Sequence, residues 1–178
     1  MKYVIFAILF PFLFGCASFH PAPRVDGELA PFVELFQKVY GVNVNYSVMF
    51  SDLSNFSSFD FADETRSLGK LSSIIGLCTR YSDGRRRVLI DRGYFERNVD
   101  NPYAIESLVF HELGHCSFNL GHNNDIINGV PASIMYPFNI GGFWYYQQNR
   151  EYYFEELATR VCLKYGILCD FSLDDVNF

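Results

Sequence analysis

This 178-residue chain is short of positive charge: 14 lysines and arginines stand against 20 aspartates and glutamates, a net charge of −6. A nucleic-acid binder needs a surplus of cations to neutralise phosphates, so that class is excluded. There is no internal repeat and no low-complexity tract, and so no sign of a repeat array or a disordered tail. None of the five cysteines forms the close pair that a four-cysteine structural zinc site requires. Histidine is scarcer still, with four in the whole chain, and three of these fall within "HELGHCSFNLGH", residues 111 to 122. Against these shortages, 49% hydrophobic and 18% aromatic residues are ample for the core of one domain.

The N-terminus, "MKYVIFAILFPFLFGCASF", has Lys2, an apolar run from Tyr3 to Phe14 and small residues from Gly15 to Ala17. This reads as a secretory signal, the apolar run being short for a spanning helix. "LFGC", Leu13 to Cys16, resembles the lipobox of bacterial lipoproteins. The resemblance implies cleavage before Cys16, lipidation of that cysteine and a place in the cell envelope. Ala17 after the cysteine, rather than an aspartate, points to the outer membrane. The expected organisation is a signal peptide over 1–15, a lipidated Cys16 and Pro-rich tether over 16–27, and a single domain over 28–178. Loss of Lys2 with the signal leaves 13 basic against 20 acidic side chains, a net charge of −7. Four cysteines then remain, Cys78, Cys116, Cys162 and Cys169, enough for two disulfides in any of three pairings.

Along the domain, Phe32, Leu35, Phe36 and Val39 recur at helical spacing from Glu28 and stop at Gly41. The alternation that follows predicts a strand from Val42 to about Met49. "SDLSNFSSFDFADETRS" is polar and reads as loop. Asp83-Gly84 predicts a hairpin between strands at about 73–81 and 86–90, with Arg85, Arg86 and Arg87 as its solvated flank. A helix starts near 102, where Asp100 or Asn101 can cap it and Pro102 fits the first turn. A turn-rich stretch runs to about Pro131, and a last helix carries Tyr153, Leu157, Val161 and Tyr165 before Gly166.

On a helix, His111 and His115 lie one turn apart on the same face, at a separation that one zinc ion can bridge. Glu112 is rotated away by about a third of a turn, beside the metal, where a general base for an activated water must stand. A catalytic zinc takes three protein ligands, and His122 is the natural third as the chain leaves the helix. Asn119 and Gly121 both tolerate the left-handed conformation that a bend before it needs. Asp125, or a glutamate of the last helix such as Glu151, Glu155 or Glu156, is the alternative third ligand. Cys116 points away from the metal and suits a disulfide or the core, and His20 lies in the tether.

"HELGH", "NLGH" and "SIMYP", Ser133 to Pro137, together resemble the metzincin zinc endopeptidases, with their HExxHxxGxxH motif and methionine turn, the matrixin branch especially. The resemblance implies His111, His115 and His122 as ligands of Zn2+, Glu112 as general base and Met135 as the floor beneath the metal. The chain departs from the pattern in having six residues between its second and third histidines, and Asn139 where matrixins have a tyrosine. Tyr136, Tyr145 and Tyr146 are candidate hydrogen-bond donors to an oxyanion, though, like Phe143 and Trp144, they suit core or cleft wall equally.

The expected fold is α+β and metzincin-like, a small twisted sheet packed on an active-site helix with a methionine turn and a C-terminal helix. The expected function is a zinc-dependent endopeptidase, a monomer that hydrolyses protein or peptide substrates with zinc-activated water. One strand of the 73–90 hairpin would form the substrate rim. The competing reading is a lipid-anchored envelope module that binds zinc or a partner without turnover, and such a module would have no need of Glu112.

Overall fold

The computed structural model describes residues 22–53, 74–138, 140 and 143–175. The expected signal sequence, Cys16 and the tether as far as residue 21 lie outside the described residues, as do 54–73, Asn139, 141–142 and 176–178. Within them the chain is a mixed α+β domain. Among the described residues no helix is long and apolar enough to cross a membrane.

Helix α1, Ala30–Tyr40, buries Val33, Phe36, Val39 and Tyr40, and Gly41 ends it in the left-handed conformation at φ 61°. The next strand starts later than the alternation predicts: β1 is Ser47–Ser51. Val44 and Tyr46 do face the core. The Val44 amide, however, donates to Gln37 Oε1 at 2.8 Å instead of to a neighbouring strand, so the ladder cannot begin there. The hairpin forms as expected from β2, Gly76–Arg80, and β3, Arg86–Asp91, with Gly76 opposite Ile90 and Arg80 opposite Arg86. Its turn uses Gly84 at φ 84°, a conformation that favours glycine.

β1 pairs in parallel with β3, giving the order β1-β3-β2. The outer edge of β1 is taken up by residues 24–26, whose backbone bonds Val48 on both sides at 2.9 and 3.0 Å. Among the described residues the open edge of the sheet is therefore β2. Asp91 caps a short helix that the sequence pattern did not suggest, α2, Arg92–Arg97, by accepting from the Tyr94 amide at 2.6 Å.

Helix α3, Pro102–Phe118, starts where Asn101 Oδ1 accepts from Ala104 N at 3.4 Å. It is buried on nearly every side, as an apolar helix at the centre of a domain should be. One side packs on β2 and β3. The other meets α1 through Phe36 and Phe110, ring centroids 5.1 Å apart. It also meets α5, Arg150–Tyr165, through Phe110 and Phe154 at 4.8 Å. Between α3 and α5 come a two-stranded ribbon, β4 Ile126–Ile127 and β5 Val130–Pro131, and the short helix α4, Phe143–Gln148.

The cysteine pairing, open on the sequence, is Cys78–Cys116 and Cys162–Cys169. The first ties edge strand β2 to α3, and the second closes the turn after α5. Tyr153, Leu157 and Val161 bury their stripe of α5, while Tyr165 stays 46% exposed.

Candidate metal centre

α3 brings His111 and His115 together as their four-residue spacing requires, with Nε2 atoms 3.0 Å apart. His122 completes the group, its Nε2 3.2 Å from that of His115. The three ligand atoms all lie within 4.8 Å of one another, and this His111–His115–His122 group could hold a metal ion. The orientation of two rings is fixed from behind. His111 Nδ1 lies 2.8 Å from the Ile134 carbonyl and His115 Nδ1 lies 2.6 Å from the Leu120 carbonyl. A carbonyl can only accept, so each Nδ1 carries the proton and each Nε2 turns a lone pair to the common centre.

The surroundings keep these rings neutral. Burial, reinforced by the neighbouring His115, pushes His111 down to about 3, and burial pushes His115 down to about 4. Neutral imidazoles with converging lone pairs are a cation-binding arrangement, so the donor set fits a divalent metal of borderline softness. The alternative ligands stand elsewhere. Asp125, Glu151 and Glu155 are exposed, and Glu156 accepts from Ser133 Oγ at 2.8 Å.

The route to His122 is built from backbone contacts. Asn119 caps α3 in the left-handed conformation at φ 49°, and its amide bonds the Gly114 carbonyl. Gly121, expected to share in the bend, does not have a positive φ, so Asn119 makes the reversal alone. Beyond the histidine, the Asn123 amide donates to the Met135 carbonyl at 2.9 Å.

Met135 is fully buried, and Gly114 explains how it fits there: a Cβ at Gly114 would lie 2.6 Å from the Met135 sulfur. The thioether thus sits against α3 at the residue before His115. Ser133 shapes this turn with its whole hydrogen-bonding capacity. Its hydroxyl donates to Glu156 and accepts from Met135 N at 3.0 Å and from Arg160 at 3.1 Å.

Glu112 is 5% exposed, and burial pushes its carboxyl up to about 8, partly offset by a hydrogen bond from the Cys78 backbone. Space for it comes from Gly76 in β2, where a Cβ would lie 2.5 Å from Glu112 Oε1. The Cys78–Cys116 bridge holds strand and helix in that close approach.

The three tyrosines separate. Tyr146 is fully buried, and its hydroxyl donates to Glu106 Oε1 at 2.9 Å within an ion pair between Glu106 and Arg150. That engagement places it in the core and withdraws it as an oxyanion donor. Tyr136 follows Met135, half-buried, with its ring 5.8 Å from that of Phe138. Tyr145 is half-buried beside Trp144.

Some features of the site escaped the sequence reading. The ribbon between His122 and Met135 turns on Asn128 and Gly129, both at positive φ. Asn-Gly is the strongest short hairpin signal there is, and it stood in the sequence. Arg160 and Gly76 carried no local signal, and Glu156, considered as a ligand, holds the Ser133 hydroxyl instead. Of the three flank arginines, Arg85 is exposed and pairs with Asp83, Arg87 donates to the Tyr81 hydroxyl, and Arg86, exposed as expected, donates to the Cys116 carbonyl. Arg80 of β2 joins it by donating to the His115 and Cys116 carbonyls, which places positive charge at the α3 C-terminus. No protein-family profile, curated protein or solved structure matches this chain.

Proposed function

We propose that this chain is a metzincin-like zinc endopeptidase, carried on the cell envelope by a lipidated Cys16. The observation that carries the reading is the convergence of three histidine Nε2 atoms, with a buried carboxyl, Glu112, on the same helix one residue along from the first of them. His111, His115 and His122 would hold the ion, the three-histidine set leaving one position open. Zinc held there supplies a Lewis acid that polarises the scissile carbonyl and lowers the pKa of water.

Glu112 then does the proton work. It takes a proton from the attacking water and delivers it to the leaving amine, and a carboxyl poised near neutrality is suited to both steps. Met135 packs against the ligand helix at Gly114, the residue before His115. The edge strand β2 adjoins Glu112 and has an open edge among the described residues. An extended peptide pairing there would be held by its backbone with little demand on its sequence. Tyr136 and Tyr145 are the remaining candidates for an oxyanion donor.

The test combines metal content with cleavage of a peptide library, for the wild type, His122→Ala and Glu112→Gln. We expect one zinc per chain in the wild type and weakened zinc with lost cleavage in His122→Ala. Glu112→Gln should retain its zinc and lose cleavage by about 10²–10⁴-fold. Zinc without cleavage of any peptide by the wild type would instead establish a binding module.

A further inference from the structure

The His122 loop is fastened by a residue far away in the chain. Arg160, on α5 with a side chain 24% exposed, reaches two segments at once. Its Nη2 donates to the Gly121 carbonyl at 3.2 Å, and its Nη1 donates to Ser133 Oγ at 3.1 Å. Gly121 immediately precedes His122. Ser133 holds the amide of Met135, and the Met135 carbonyl in turn holds the amide of Asn123, the residue after His122.

The peptide units on both sides of His122 are therefore tied, directly or through the methionine turn, to one guanidinium. Planar and with several donors in fixed directions, a guanidinium can make two such bonds with one geometry, which a lysine cannot. Resting on the metal-centre reading above, we propose that Arg160 is the positioning residue for the third ligand. It holds the loop with six residues between His115 and His122 so that His122 Nε2 meets the other two.

A double-mutant cycle with cobalt(II) as the probe tests this, because cobalt reports both affinity and ligand geometry through its visible spectrum. Arg160→Met keeps most of the buried stem and removes the donors. It should weaken cobalt binding by about 10–100-fold, the usual consequence of losing an outer partner of a ligand. Its spectrum should shift towards that of His122→Ala. In a His122→Ala background the same substitution should change neither affinity nor spectrum, since the ligand it positions is already gone. Arg160→Gln, read in the same cycle, serves should Arg160→Met fail to fold.

Equal losses in both backgrounds, or unchanged binding and spectrum in the single variant, would overturn the role of Arg160 and leave the metal centre standing. A wild type that takes up no cobalt, or a His122→Ala variant that binds it unchanged, would overturn the metal centre and this inference with it.

Discussion

His111 and His115 are held in place differently from His122. The first two ride on a helix buried on nearly every side, so the positions of their rings follow from core packing: Phe110 against Phe36 and Phe154, and Gly114 against Met135. His122 stands half-buried on a loop between exposed Gly121 and half-buried Asn123, and polar contacts from Arg160 and from the Met135 carbonyl hold the peptide units on either side of it. One centre thus has two kinds of foundation: apolar packing under the helix and directed hydrogen bonds around the loop. Removal of a hydrogen-bond donor should loosen the loop side and spare the helix side, and a change of core volume should do the reverse.

The sharpest division of this kind lies between the two disulfides. Cys78–Cys116 spans 38 residues and joins the ligand helix to the sheet, while Cys162–Cys169 spans 7. Constraint of the unfolded chain alone gives about 4 kcal/mol for the first and about 2 kcal/mol for the second. Replacing each pair by serine and measuring urea unfolding should return that order, with loss of metal binding only for the first pair. A larger effect from the C-terminal bridge would mean that the helix side needs no staple.

Two glycines test packing against loop. Gly114→Ala forces a methyl against the Met135 sulfur and should cost about 1–3 kcal/mol, with weaker metal binding. Gly121→Ala meets nothing within 4 Å and should change stability by less than about 0.5 kcal/mol. Thermal unfolding of both variants decides, and a tolerant Gly114 would break the contrast.

Burial pushes the Glu156 carboxyl up from 4.5 to about 7, with the Ser133 and Arg160 contacts pulling it down. Its folded value exceeds its unfolded one, so the stability it contributes is complete below pH 4.5 and is lost as pH rises through 7. Measured without metal, wild type should lose on the order of 2 kcal/mol relative to Glu156→Gln between pH 5 and 8. A flat difference would show that Glu156 is ionised in the fold at all these pH values.

Much of this was legible locally. Helical spacing marked α1 and α5, a cap and Pro102 marked the start of α3, Gly41 and Gly166 marked two helix ends, and Asp83-Gly84 marked the hairpin. Each signal acts within a few residues, which is why it can be read from a single sequence. The histidine pair was legible for the same reason, one helical turn being a local distance. The parallel pairing of β1 with β3 was not, because register between distant strands leaves no mark on either. Arg160 and Gly76 show the same limit inside the site. Their importance lies in what they face, across 39 residues to Gly121 and 36 to Glu112. The strand predicted from Val42 began late because a side chain, Gln37, satisfied a backbone donor that the alternation had assigned to a sheet.

Helix α5 lies along α3 from end to end. Arg150 in its first turn grips Glu106, and Lys164 in its last turn bonds the Asn119 carbonyl at the α3 cap. This arrangement sets an order on biosynthesis. In a chain that emerges N-terminus first, HELGHCSFNLGH is complete 38 residues before Arg160, and distant contacts can form only once both partners are present. A nascent chain halted short of Arg160 would display every histidine of the motif with nothing to clasp Gly121. The clasp on the third histidine can therefore close only after residue 160 has emerged.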